Sequence, residues 1–280
     1  MRSCVGFAVD EAYALPLAVV GRSLIDHHAD LHAAGEKLEF VVLDLGISER
    51  SRGRLAAAWS DGASVDFLRL PSLDELDGLP LSDHEFVPHL NRNVYGRWFL
   101  PELLPPVYRR MIYLDADVLV LGDTSTLWRV GLGGHPFAAA QDKGIPFVSS
   151  PYGVPDHREL GFDARARYFN AGVMVIDLDR WKAQRVRERA LAYARAHPAM
   201  RFADQEALNA VAGGRWAEFP QKWNCPAEDE VLDEEYGARP RIIHFLGPGK
   251  PWLGGSHATR CQALYGEYLR RTGWPPDGLG

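Results

Sequence analysis

The sequence has no long hydrophobic run and is poor in cysteine. Its 280 residues include only three cysteines, at positions 4, 225 and 261, and none forms a Cys-x-x-Cys pair. This spacing argues against a structural zinc site and fits a reducing cytoplasm. No segment approaches the roughly 20 apolar residues of a membrane span, and the first apolar run, 5–9, is too short for a signal peptide. We therefore expect a cytoplasmic protein without a transmembrane segment.

Basic residues are fewer than acidic residues. The 31 Lys and Arg residues are outnumbered by 37 Asp and Glu residues, which gives a net charge of −6. No basic surface for nucleic acid or anionic lipid is implied by this balance. With 46% hydrophobic residues, the chain has the composition of an ordinary globular protein with a sizeable core. We expect neither nucleic acid nor a membrane as a partner.

Strand and helix patterns alternate through the first part of the chain. They occur, in order, over 5–9, 13–33, 38–43, 47–59 and 64–70. Such alternation predicts an α/β fold with a mixed, mostly parallel sheet, helices on both faces and ligands beyond the carboxyl ends of the strands. Ser48 is the predicted N-cap of the second helix.

The later part of the chain is less regular. Residues 141–167 are rich in Gly, Pro, Ser and Asp, which predicts either a long loop or a lid. A strand with a polar corner is expected over 168–177, then a long helix capped by Asp179 and running to Ala196. A helix over 202–211 and a strand over 242–245 are expected before the C-terminal segment.

Two carboxylates, Asp115 and Asp117, follow an apolar strand. Residues i and i+2 of an extended segment point to the same side, and neighbouring carboxylates repel each other unless a cation lies between them. The apolar run 118–121 resumes at once, which argues against solvated turn residues. Two enzyme classes have this pattern: nucleotide-sugar glycosyltransferases, where the pair holds a metal on the diphosphate, and haloacid-dehalogenase-like phosphatases, where the first Asp is a nucleophile.

The segment 244–252 offers partners for this carboxylate pair. Imidazole, here from His244, is a suitable ligand for manganese beside carboxylates. Gly247 and Gly249 allow close backbone approach to a phosphate, and Lys250 supplies a point charge for it. These residues predict one site that combines a metal, a diphosphate and a lysine.

Together these motifs resemble family 8 glycosyltransferases, the group that contains glycogenin and bacterial lipo-oligosaccharide galactosyltransferases. The matching segments cover nearly the whole chain in the family's order: 7–13, 95–97, 113–117, 168–173, 203–206 and 244–252. The resemblance implies a single Rossmann-like domain of the glycosyltransferase A type over 1–280. Its nucleotide-binding half would be 1–130, its donor-sugar and acceptor half 131–256, and its C-terminal helix and tail 257–280.

The same resemblance implies a role for each matching residue. The metal ligands would be Asp115, Asp117 and His244, with Mn²⁺ as the ion and Mg²⁺ as an alternative. The nucleotide would contact Ala8, Asp10, Tyr13 and Ala116. The diphosphate would be held by Gly247 and Lys250. The donor sugar would be surrounded by Arg97, Asp142, Asn170, Ala171, Asp204 and Gln205, of which Asp142, Asp204 and Gln205 are the catalytic candidates.

The expected reaction is transfer of a hexose, galactose or glucose, from a UDP-sugar to a small-molecule or glycan acceptor. The resemblance implies retention at the anomeric carbon. Because the family residue nearest that carbon is a glutamine, here Gln205, we favour same-face substitution over double displacement. Two departures from the family are Ala12, where many relatives have a polar side chain, and Glu206, which replaces a frequent Asp. The chain also has no basic, aromatic tail, so a lipid-bound acceptor is not expected.

Two alternatives remain open at this stage. A haloacid-dehalogenase-like phosphatase would explain the Asp-x-Asp pair, although its motif is expected near the N-terminus and would leave 244–252 unexplained. A non-catalytic UDP-sugar-binding protein would keep the site without turnover.

Overall fold

The computed structural model describes residues 2–28, 35–81, 92–233, 239–254 and 258–275. The strands in these ranges are β1 (Arg2–Val9), β2 (Leu38–Asp44), β3 (Ala63–Arg69), β4 (Tyr108–Leu114), β5 (Val118–Val120), β6 (Phe137–Gln141), β7 (Phe169–Asp177), β8 (Ala217–Glu218), β9 (Cys225–Pro226) and β10 (Ile242–His244). The α-helices are α1 (Ala14–Asp26), α2 (Glu49–Trp59), α3 (Gly96–Leu103), α4 (Ser125–Trp128), α5 (Leu178–Ala183), α6 (Val186–Ala196), α7 (Ala203–Ala212) and α8 (Thr259–Arg271).

Seven strands form the central sheet in the order β3-β2-β1-β4-β7-β6-β8. Strands β3, β2, β1 and β4 are parallel, whereas β7 runs antiparallel to both β4 and β6. The carboxyl ends of β1, β4 and β6 therefore meet the amino end of β7 at one edge of the sheet. The expected mixed, mostly parallel sheet is confirmed.

The polar corner predicted within 168–177 is a shift in register. Strand β7 is continuous, but Ala139 of β6 pairs with Met174 while the next residue, Ala140, pairs with Asn170. Between the partners of two consecutive β6 residues, β7 therefore contains three additional residues, 171–173. This bulge directs the backbone at 171–172 toward the end of β4.

A second sheet has the order β5-β10-β9. Strand β10 is antiparallel to β5 and parallel to β9, and its last residue, His244, pairs with Val118. Because Val118 directly follows Asp117, this pairing brings the 115–117 segment and His244 together. Tyr265 and Tyr268 of α8 cover the apolar face of this sheet.

Apolar side chains alternate between the two faces of the central sheet. In β2, Phe40 and Val42 belong to the cluster that packs against α1 and α2. Their neighbours Val41 and Leu43 belong to the cluster on the other face, with α3, α5, α6 and α7. This two-residue period places helices on both faces, as expected.

The helix predictions were accurate in the first half and wrong at one point in the second. Ser48 caps α2, its hydroxyl accepting from the backbone N–H of Ser51 at 3.1 Å. The predicted first helix corresponds to α1, and positions 29–33 of that prediction lie outside the described residues. A single helix capped by Asp179 is wrong: Asp177 accepts from the backbone N–H of Arg180 at 2.9 Å, and Arg185, with φ of 52°, divides α5 from α6. Among the described residues, no helix has the length and apolar character needed to cross a membrane.

Candidate active site

Three potential metal ligands lie together at the sheet edge. One ligand atom from each of Asp115, Asp117 and His244 lies within 4.8 Å of the other two. His244 Nε2 is 3.1 Å from Asp117 Oδ1 and 4.0 Å from Asp115 Oδ2. Carboxylate oxygens with one imidazole nitrogen suit a divalent ion such as Mn²⁺. The residues therefore fit the divalent cation that the sequence predicts.

Arg97 is buried at the back of this cluster. Its Nη2 lies 2.8 Å from Asp115 Oδ1, and its Nη1 donates to the carbonyl of Ala171 at 2.8 Å. The hydroxyl of Tyr113 donates to the same Asp115 oxygen at 3.1 Å. Since Oδ1 is occupied by these two groups, Asp115 presents Oδ2 to His244. Arg97 is thus an interior group that orients a candidate metal ligand, and its guanidinium lies over the Tyr113 ring.

Lys250 closes the opposite side of the cluster. Its Nζ donates to Asp117 Oδ2 at 2.6 Å and to the carbonyl of Phe245 at 2.5 Å. Burial by itself would raise the pKa of Asp117, but Lys250 and His244 hold it well below its usual range. Asp117 is therefore a carboxylate, with Oδ1 directed at His244 Nε2.

Two adjoining cavities meet at the metal cluster. Val94, Arg97, Asp115 and Asp117 line both of them. The first cavity also contains the predicted nucleotide residues Ala8, Asp10, Tyr13 and Ala116. The second also contains Asp142, Asn170, Asp204, Gln205, His244, Gly247 and Lys250. Every candidate residue except Ala171 lines one of the two, and Ala171 contributes its backbone groups.

The first cavity is lined by a polar residue that sequence reasoning missed, Asn93. Asp10 accepts from Asn93 Nδ2 at 2.7 Å and from the backbone N–H of Ala12 at 3.1 Å. The ring of Tyr13 meets Trp252 edge to face, with centroids 5.7 Å apart. Ala12 does not line the cavity, so its departure from the family leaves these wall contacts in place.

The second cavity has a hydrogen-bonded polar wall. Asp142 Oδ2 accepts from Asn170 Nδ2 and from Gln205 Nε2, both at 3.1 Å. The other end of Gln205, Oε1, accepts from the backbone N–H of Ala171 at 3.0 Å. Both ends of the Gln205 amide are therefore held. Gly144, Ile145 and Tyr152 of the 141–167 segment line the same cavity.

Asp204 enters this cavity from a strained turn. The preceding residue, Ala203, has φ of 37°, which is unfavourable for a residue with a Cβ and is typical of functional sites. Burial raises the pKa of Asp204 to about 6, against the opposing influence of Arg97. Arg97 Nε lies 2.8 Å from Asp204 Oδ2 but donates its hydrogen to the carbonyl of Val94. Among the described residues, that carboxylate oxygen accepts no hydrogen bond.

Glu206 faces away from both cavities. It is 1% exposed, and its Oε2 accepts from the backbone N–H of Arg201 at 3.0 Å, just before the strained turn. Burial raises the pKa of Glu206 to about 7. Having Glu at position 206 in place of the family's frequent Asp therefore affects the hydrogen bond that holds the strained turn, and does not change the cavity wall.

Replacing Glu206 by glutamine is expected to make the protein relatively more stable at higher pH. Because the folded-state pKa exceeds the usual 4.5, the folded protein binds more protons between pH 4.5 and 7, and its stability falls as pH rises through that range. Glutamine does not titrate. The unfolding free energy of Glu206→Gln minus that of the wild type should therefore increase by roughly 1–3 kcal/mol from pH 4.5 to 7. Urea titrations at several pH values would measure this, and a difference that does not change with pH would contradict it.

Known proteins match between 58% and 95% of the chain. A model of the family described as Glycosyl transferase family 8 matches residues 4–255. General stress protein A of Bacillus subtilis is 29% identical over 263 residues, covering 86% of this chain and 85% of that protein. The lipopolysaccharide 1,2-glucosyltransferase of Escherichia coli is 29% identical over 172 residues, covering 58% of this chain and 49% of that protein. A crystal structure of the galactosyltransferase LgtC with donor and acceptor sugar analogs has a TM-score of 0.76 and 27% identity, covering 95% of this chain and 96% of that chain.

Proposed function

Because the chain belongs to glycosyltransferase family 8, we propose that it is a metal-dependent, retaining hexosyltransferase that uses a UDP-sugar. The observation that carries this proposal is the position of the Asp115, Asp117 and His244 cluster at the junction of two cavities. A nucleotide diphosphate-sugar has the same layout, with a base and a sugar on either side of a diphosphate. This shared layout supports the proposed donor.

The nucleotide is assigned to the first cavity and the hexose to the second. In the first, Tyr13 offers a partly exposed aromatic face for the base, and Ala116 is adjacent to the metal ligands. At the junction, Gly247 has φ of 71° and open space where a side chain would project, which allows close backbone approach by a phosphate. Lys250, paired with Asp117, would exchange this partner for the diphosphate when the donor binds.

The chemical problem is the negative charge that develops on the departing UDP. A divalent cation, when bound, stabilises that charge as a Lewis acid. Lys250 adds a positive charge on the same side. We assign binding of the sugar hydroxyls to the polar wall of Asp142, Asn170 and Gln205. This wall would therefore determine whether the donor sugar is galactose or glucose.

We explain retention of configuration at the anomeric carbon by same-face substitution. Double displacement requires a free carboxylate beneath the anomeric carbon. Gln205 is an amide with both ends hydrogen-bonded, and Asp204 is paired with Arg97. Neither is arranged as a nucleophile. The acceptor would therefore approach on the face from which UDP departs, and the leaving phosphate oxygen would help to remove its proton.

The proposal is tested by measuring UDP release from a panel of UDP-sugars, with Mn²⁺ and with EDTA. We expect one donor to be hydrolysed only with Mn²⁺. In Asp117→Asn the Mn²⁺ concentration for half-maximal release should rise at least tenfold. Removing only the hydrogen-bond partner of a metal ligand already weakens metal binding by about tenfold or more, and Asp117 is itself a proposed ligand. Intact-protein mass spectra of the same reactions should show no glycosyl adduct, and an adduct on Asp204 or Gln205 would contradict same-face substitution.

Two other outcomes would overturn the proposal. Hydrolysis of p-nitrophenyl phosphate without release of UDP would favour the phosphatase alternative. Tight UDP-sugar binding without hydrolysis, and without transfer to any acceptor, would indicate a non-catalytic binding protein.

A further inference from the structure

The ring of His244 is held from behind by a residue that no motif singles out. His244 Nδ1 lies 3.0 Å from Oδ1 of Asn224, and both residues are 3% exposed. Asn224 in turn donates from Nδ2 to Oδ1 of Asn170 at 2.8 Å. Asn224 therefore stands between a candidate metal ligand and the polar wall of the second cavity.

The partners of these amides determine which way each one points. The backbone N–H of Gly172 donates to Asn170 Oδ1 at 3.0 Å, so this atom must be an oxygen. The other end of Asn170 donates to the carboxylate of Asp142, which is consistent with the same orientation. Asn224 must then present its NH₂ group to Asn170 and its oxygen to His244.

This orientation decides which nitrogen of His244 carries a proton. An amide oxygen only accepts, so Nδ1 of His244 must be protonated to make the 3.0 Å contact. When the neutral ring binds a cation, its lone pair then lies on Nε2, the nitrogen that faces Asp115 and Asp117. A metal ligand needs this tautomer, and the partner of its other nitrogen commonly selects it.

Asn224 is also rigidly placed. It ends the short turn 221–223 and directly precedes β9, whose residue Pro226 pairs with His244 in the second sheet. Its backbone N–H donates to the carbonyl of Gln221 at 2.8 Å. Sheet pairing thus holds the Asn224 amide next to the imidazole.

We propose that Asn224 is a positioning residue that fixes the ring orientation and tautomer of His244 for a divalent cation and links the metal site to Asn170. The inference rests on the proposed function, since it assigns His244 as a metal ligand. It predicts that the hydrogen bond from Nδ1, and not merely the volume of the Asn224 side chain, supports metal affinity.

The test compares Asn224→Ala with Asn224→Asp by titrating Mn²⁺ in the presence of UDP and following free Mn²⁺ by electron paramagnetic resonance. Asn224→Ala should bind Mn²⁺ about 10–100-fold more weakly. Asn224→Asp keeps an acceptor opposite Nδ1 and should stay within a few-fold of the wild type. Its second oxygen would face Asn170 Oδ1, so its KM for the UDP-sugar should rise while Mn²⁺ affinity is retained.

A matched control is Asn209→Ala, which removes another asparagine of 1% exposure. Asn209 hydrogen-bonds to the backbone of Phe169 and to the carbonyl of Gln205, and these bonds involve none of the three metal-cluster residues. This variant should lose stability without weakening Mn²⁺ binding per folded molecule, as judged against its thermal melt. The control distinguishes the effect of losing a buried polar side chain from the effect of losing the hydrogen bond to His244.

The inference is overturned if Asn224→Ala binds Mn²⁺ as tightly as the wild type, or if the Ala and Asp variants lose the same affinity. Failure of the proposed function has a different signature. In that case the wild type binds Mn²⁺ with UDP and the two variants differ as expected, but no UDP-sugar is turned over. A wild type that binds no Mn²⁺ would overturn both the inference and the proposed metal requirement.

Discussion

Replacing Gly172 by alanine is expected to lower Mn²⁺-dependent UDP release by about 10²–10³-fold. A Cβ at this position would lie 2.2 Å from Cε1 and 2.8 Å from Nδ1 of His244, and 2.9 Å from Oδ2 of Asp115. The strand cannot easily retreat, because the carbonyl of Gly172 accepts from the backbone N–H of Asp115 at 2.8 Å. Two of the three candidate ligands must therefore move. UDP release and Mn²⁺ affinity would be measured together, and both should fall.

The control for this variant is Gly53→Ala. Gly53 lies within α2, and apart from the adjacent residues and the backbone of its own helix no atom of the described residues lies within 4 Å of its added Cβ. Alanine at an open helical position should stabilise the protein by up to about 1 kcal/mol and leave UDP release unchanged. If Gly172→Ala kept wild-type affinity for Mn²⁺, the close approach of Gly172 to the metal cluster would not matter for function.

Replacing Arg97 by leucine is expected to destabilise the protein by about 3–5 kcal/mol. The guanidinium is buried between Asp115 and Asp204, 2.8 Å from an oxygen of each. Its removal leaves two carboxylates without their cation. Burial already raises the pKa of Asp204 to about 6, so this carboxyl makes the wild type less stable as pH rises from about 4 to 6. Without Arg97 the pKa of Asp204 should rise further, so this fall in stability should be larger and should extend to higher pH. Urea unfolding at pH 5 and pH 8 would measure both effects.

Two further variants identify the cause of the loss. The double variant Arg97→Leu with Asp204→Asn removes one of the stranded charges and should recover part of the stability. Arg109→Leu breaks an exposed pair with Asp179, whose side chains are 49% and 62% exposed, and should lose less than about 1 kcal/mol. Equal losses for Arg97→Leu and Arg109→Leu would show that the buried pairs do not stabilise the fold.

Most of the fold class was predictable from local pattern. The two-residue period of β2 and the helical spacing of α1 and α2 are visible in the chain, because each face of a strand or helix must match the solvent or core that it meets. Ser48 was predicted correctly as a cap for the same reason: its partner, Ser51, is three residues away. The break at Arg185 was not predictable, since neither this residue nor its neighbours carry the glycine or proline that usually marks one.

The site was predictable only in part. Asp115 and Asp117 are two residues apart on one segment, so the chain itself indicates a carboxylate pair. Their relation to His244 depends on the pairing of β5 with β10, each three residues long, and strands that short have no periodicity of their own. The chemistry of imidazole and the family motifs, and not spacing, suggested that His244 belonged to the pair.

Residue types and their local order were thus set by the sequence: the carboxylate pair, the glycine- and lysine-containing loop, and the alternation of strands and helices. Tertiary structure alone decided that Asn224 holds His244, that Arg97 lies between Asp115 and Asp204, and that Gly172 must have no side chain. The reason is physical. Each of these relations joins residues separated by between 18 and 107 positions. Sheet register and helix packing bring these residues together, whereas local sequence pattern reports only on neighbours within a few residues.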